Sequence, residues 1–111
     1  MESILTSIKK LLGMTAEYNH FDTDVIMHIN SAFMTLNQLG VGPSKCFSIK
    51  SDAETWKHFL GDSEDLEAVK TYVYLRVKLV FDPPPTAALL DSTNKQIVEY
   101  EWRLNVQSEE E

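Results

Sequence analysis

Cysteine is nearly absent from this 111-residue chain. Cys46 stands alone, so an internal disulfide is impossible and a cysteine-built zinc site is effectively excluded. A single thiol fits a reducing compartment. Basic residues are also short: 10 Lys and Arg face 17 Asp and Glu, for a formal charge of −7. The resulting pI near 4.9 argues against a protein that holds phosphate through its overall charge. No apolar run approaches the roughly 20 residues that cross a bilayer. The start, Met1 to Leu5, is acidic, and Lys9-Lys10 interrupts its apolar residues before a signal-peptide core can form. The expectation is a chain that is soluble and cytoplasmic at synthesis. Low complexity is confined to Pro83-Pro84-Pro85 and to the acidic end, and no internal repeat is visible.

What is present is ordinary for a globular protein: 43% hydrophobic and 24% charged residues. The length suits one domain, which at this size hides about two-thirds of its unfolded surface. Charge is uneven, because Glu109, Glu110 and Glu111 carry three of the seven net negatives. The division expected is a single domain over 1–107 and a solvated, frayed tail over 108–111.

Ile4, Leu5, Ile8, Leu11 and Leu12 follow helical spacing that Gly13 closes, which predicts a short first helix with Lys9 and Lys10 on its wet side. After a polar linker from Thr15 to His20, Asp22 is positioned as an N-cap, with Phe21 stapling onto Ile26. Val25, Ile29, Phe33, Leu36 and Leu39 form one buried stripe, with Asn30, Asn37 and Gln38 off it. Gly40 and Gly42-Pro43 stop that helix. Cys46 to Ile49 reads as a short extended piece. Asp52 is placed to cap a brief helix holding Trp56, Phe59 and Leu60, and Asp62-Ser63 to cap another, with Glu64, Asp65 and Glu67 favouring its dipole.

Tyr72 to Phe81 has two readings. It is rich in strand formers, and Leu75, Val77, Leu79 and Phe81 alternate with Arg76 and Lys78. Leu66, Val69, Val73, Val77 and Val80 also make a helical stripe, and a run from Leu66 to Phe81 without Gly or Pro is long for a strand. That length favours a helix buried on most sides. The three prolines must end it. Thr86 then caps a last helix with the stripe Leu90, Ile97, Tyr100 and Leu104, leaving Glu99, Glu101 and Arg103 outside. Trp102 falls off the stripe, as a second packing face or a subunit contact. Two helices within the first forty residues predict an α-rich chain.

Chemistry-bearing constellations are weak. His20, Asp22, Asp24 and His28 would share a helix face at metal-ligand spacing, but a capping Asp22 leaves His20 outside the helix. Gly40 to Lys45 lacks phosphate-loop spacing and follows a helix. Cys46 has no local His, and no serine sits in a nucleophile elbow. The pairs Glu64/Asp65 and Glu99/Glu101 are explained by a helix start and a solvent face. Tyr72 and Tyr74 among Lys70, Arg76 and Lys78 scatter around a helix axis, which suits core aromatics with snorkelling basic chains better than a nucleic-acid face.

Four segments resemble the small head–tail connector (adaptor or head-completion) proteins of long-tailed bacteriophages. They are Phe21 to Ser31, Leu36 to Pro43, Val69 to Pro84 and Glu99 to Asn105, in the family's order. The resemblance implies an all-α fold, a small bundle of four to five helices with Tyr72 to Phe81 helical, as the subunit of a ring-shaped homo-oligomer. It implies docking beneath the portal, dodecameric there, as a platform for a downstream head-completion or tail-terminator protein. It implies no enzyme activity and no cofactor, and a place in the virion after assembly in the host cytoplasm. Terminal segments of such proteins can reach the portal.

The interface residues expected on this reading are Trp102, Arg103 and Asn105, with Glu109, Glu110 and Glu111. An acidic subunit also suits a pore that passes DNA without gripping it, which predicts no sequence-specific nucleic-acid binding and no membrane partner. The rival reading is a small acidic inhibitor that mimics DNA, and a third, a hydrolase using buried carboxylates, has no motif behind it.

Overall fold

The computed structural model describes residues 3–15, 17–43, 45–61 and 66–110, with side chains given through residue 107. Five helices make up the described chain: α1 (Ile4–Leu11), α2 (Asp22–Gln38), α3 (Trp56–Leu60), α4 (Leu66–Phe81) and α5 (Ala87–Glu110). No strand occurs among the described residues, and the only pairing of that kind is an isolated bridge between Ser3 and Thr55. The all-α expectation holds.

α4 is the centre. Val69, Tyr72, Val73 and Val77 are fully buried, and α4 packs against α2, α5 and α1. Apolar residues on more than one side of this helix explain why its sequence also reads as a strand: burial on several faces blurs the period. Val80 alone of its expected stripe lies exposed. α2 buries Val25, Ile29, Phe33 and Leu36, as its spacing requires, and leaves Leu39 half-buried. The molecule is a slab of 38 × 36 × 19 Å, about two helix diameters thick.

Several local expectations are corrected. Lys9 is not on a wet face: it is 2% exposed, with its Nζ 2.8 Å from Asp22 Oδ1. Asp22 is therefore the first residue of α2 and not its cap; Phe21 holds that position without a side-chain cap bond. Phe21 packs its ring edge-on against Phe81, with centroids 5.4 Å apart. Leu11, expected on the buried side of α1, is exposed. Ser3 caps α1 by accepting from the Thr6 N–H. α3 is capped by Thr55 and not by Asp52: Thr55 Oγ1 accepts from His58 N–H while His58 Nδ1 accepts from Thr55 N–H, a capping box. Asp62, Ser63, Glu64 and Asp65, expected to start α4, lie outside the described residues.

Cys46 to Ile49 forms no strand. Its backbone is instead held by a side chain: Asn30 donates to Ile49 O at 3.0 Å and accepts from Ile49 N–H at 2.7 Å, as a neighbouring strand would. The loop is anchored further by Phe47, which packs with Phe59 and Phe33 at centroid distances of 5.2 and 5.5 Å. Trp56 sits under α1, where its indole N–H donates to Ser7 Oγ at 2.8 Å. That bond satisfies a polar atom whose burial would otherwise be costly.

α2 stops as its glycines predict. Gly40 at φ +85° lets Val41 N–H reach Leu36 O and Gly40 N–H reach Asn37 O, the paired bonds of a Schellman turn. Gly42 serves a different need. A Cβ there would lie 2.6 Å from Phe59 Cε1, so only glycine lets the loop pass the ring.

Candidate assembly surface

α5 follows the prolines without a gap. Pro83 to Pro85 end α4, and Thr86 caps α5 by accepting from Leu89 N–H at 3.2 Å. At 24 residues it is about 36 Å long, close to the long dimension of the slab. Its two halves differ. Ile97 and Leu104 are buried and Tyr100 half-buried, whereas every described residue from 87 to 96 except Thr93 is exposed, Leu89 and Leu90 included. Leu90 belongs to the predicted stripe but is only partly covered, at 37% exposed.

A polar network fixes the second half. The Tyr72 hydroxyl donates to Glu101 Oε2 at 2.7 Å, and Arg76 Nη1 donates to Tyr72 Oη at 2.8 Å and to Thr35 Oγ1 at 3.0 Å. Three helices meet there. Burial first, and then donation to the Glu101 carboxylate, push the Tyr72 hydroxyl up to about 12 against the lowering pull of Arg76. Glu101 is thus not the solvent-face residue the sequence suggested. Asn105 also reaches inward, donating to Leu39 O at 3.3 Å and tying the end of α5 to the end of α2.

The outer face carries the residues left over. Trp102 is 66% exposed and Val98 63%, with Arg103 beside them bonded to Glu99 at 2.7 Å. Asp91 and Lys95 pair at 3.1 Å one turn earlier. A shallow groove of about 270 Å³ is lined by Gln96, Glu99, Tyr100 and Arg103. Of the residues expected at an interface, Trp102 and Arg103 lie together and exposed, while Asn105 is half-buried and engaged with α2. The helix backbone continues through Glu109 and Glu110, and Glu111 lies outside the described residues.

A second apolar stripe was not anticipated. Met27 and Met34 on α2 are each 59% exposed, with exposed Ser31 between them. A signal existed in the sequence: residues 25–38 contain no Asp, Glu, Lys or Arg, so the wet side of that helix is uncharged.

The His20, Asp22, Asp24, His28 constellation is dispersed, with His20 before the helix against Phe21 and Asp22 turned to Lys9. Among the described residues no group of three or more His, Cys, Asp or Glu could hold a metal, and no helix is long and apolar enough to cross a membrane.

Comparison with curated proteins and with solved structures returned no match. A family model described as "Phage connector protein" matches residues 4–111, from the first residue of α1 through the end of α5. On that match the chain belongs to the phage connector protein family.

Proposed function

We propose that this chain is a non-enzymatic subunit of a head–tail adaptor ring, seated between the phage portal and the tail and open to passing DNA. The observation that carries the reading is the family match over 4–111, which takes in the complete helical fold. The largely exposed first half of α5 and the exposed Val98 and Trp102 support it, because they are surfaces of a kind that a neighbour covers. Trp102 and Arg103 are the contact residues proposed, with Asn105 positioning the helix and the Glu109–Glu111 end available to portal or downstream proteins. The ring is dodecameric on the portal in this reading, and its place is the head–tail junction of the virion.

The formal charge of −7 per copy disfavours a grip on the duplex, and acidic residues facing a channel would repel it. The DNA-mimic alternative gains little from the structure. Asp22, Asp82, Asp91 and Glu99 each pair with a cation in the chain, and Glu101 takes up the Tyr72 hydroxyl. Carboxylates engaged in this way are poorly placed to imitate a row of phosphates.

Negative-stain imaging of the chain with purified portal rings tests the reading. A second ring stacked coaxially on the portal is expected, and Trp102→Ala weakens it. Portal rings left bare, or tight binding of plain duplex DNA at physiological salt, would contradict it.

A further inference from the structure

A closed ring with one contact per neighbour needs two different patches on each chain, since a head-to-tail interface joins unlike surfaces. Two exposed helix stripes of matched length are present. On α5, Asp91, Lys95, Val98 and Trp102 recur at i, i+4, i+7 and i+11; on α2, Met27, Ser31, Met34 and Gln38 recur at the same spacing. All eight residues are exposed. Each stripe covers about 16 Å of helix. α2 and α5 each pack on α4.

Charge selects the occupant. Any two copies repel through −7 each, so a self-contact has to fall where the local charge is low. The α2 stripe lies within residues 25–38, which hold no ionised acid or base of the Asp, Glu, Lys and Arg type. On α5 the charges near Val98 and Trp102 cancel within the helix, Asp91 with Lys95 at 3.1 Å and Glu99 with Arg103 at 2.7 Å. A basic partner would instead be drawn to unbalanced acidic surface. Trp and Met are also the residue types enriched where protein interfaces are buried, and a thioether packs well against an indole.

We propose that copies of this chain join head to tail, the Val98–Trp102 ridge of α5 in one copy seating on the Met27–Ser31–Met34 stripe of α2 in the next. This interface rests on the adaptor-ring reading and adds to it the donor face, the acceptor face and the polarity.

Single-cysteine chains in a Cys46→Ser background provide the test, with the full chain used alone at rising concentration and on portal rings. Mixing Ser31→Cys with Val98→Cys is expected to give a disulfide-linked pair of unlike chains, and neither variant alone should give a linked pair. Trp102→Ala and Met34→Ser are each expected to weaken self-association by about 30-fold or more while leaving the helical signal unchanged. Leu11→Ser, at an exposed apolar residue on α1, should leave association intact. Links between like chains, no link at all, or unimpaired association of Trp102→Ala would each overturn the interface. Co-sedimentation with portal rings reads the adaptor role separately. Unlike-chain links without portal binding would keep the interface and contradict the adaptor role; portal binding without those links would do the reverse.

Discussion

Lys9 Nζ lies 2.8 Å from Asp22 Oδ1 with the lysine side chain 3% exposed and the aspartate 30%, so the pair fastens α1 to the first turn of α2. Removing the carboxylate takes a charge at 2.8 Å away from a buried ammonium. Asp22→Asn is expected to cost about 2–3 kcal/mol in urea unfolding, less than at a fully buried pair because Asp22 keeps part of its hydration. The double change Lys9→Met with Asp22→Asn should recover most of that loss. Tyr72 gives a pH signature. Its hydroxyl, raised from 10.0 to about 12 by burial and by donation to Glu101, stays protonated in the folded chain after the unfolded chain has begun to ionise. Its contribution is therefore complete below about pH 10, falls as pH rises, and is gone at about pH 12. The loss amounts to at most about 2–3 kcal/mol. Tyr72→Phe should flatten this alkaline slope in a stability-versus-pH series and cost about 1–2 kcal/mol at neutral pH, since Glu101 loses a donor.

Glycines separate two element-scale effects. At Gly42, φ is +89° and an added Cβ meets the Phe59 ring at 2.6 Å; at Gly13, φ is +90° and the space is open. Gly42→Ala should cost about 2–4 kcal/mol by thermal or urea unfolding and Gly13→Ala only about 1, the difference being the steric part. Within α5, amide hydrogens of residues 91–96 should exchange faster than those of 100–104 in the unassembled chain, because little tertiary packing covers the first half. The stripes of α2 and α4 were legible in the sequence because burial on a helix leaves a repeating signature. Caps were less so. Ser51, Asp52 and Thr55 can all cap; the bridge from Ser3 to Thr55 and the Trp56–Ser7 bond, both long-range, decide for Thr55. The burial of Lys9 is hidden from its own helix for the same reason, since Asp22 lies on another helix.

At the scale of the molecule, a slab 19 Å thick with uncharged or self-neutralised helix faces is suited to repeated side-by-side packing despite an overall charge of −7. Trp102 was legible as a surface residue because it departs from the stripe of its own helix. Met27 and Met34 were not, because a methionine off a stripe carries no signal until the absence of charge around it is noticed. Nor could sequence show that the first half of α5 is largely exposed, which depends on what packs against it. Assembly of this chain on a portal in fixed number, as proposed, is read from the mass of intact portal rings titrated with the 12.7 kDa chain. Saturation at one heavier species carrying a whole ring of twelve copies is expected, and its loss in Trp102→Ala; portal rings of unchanged mass, or a mass that rises without a plateau, would overturn the proposed assembly.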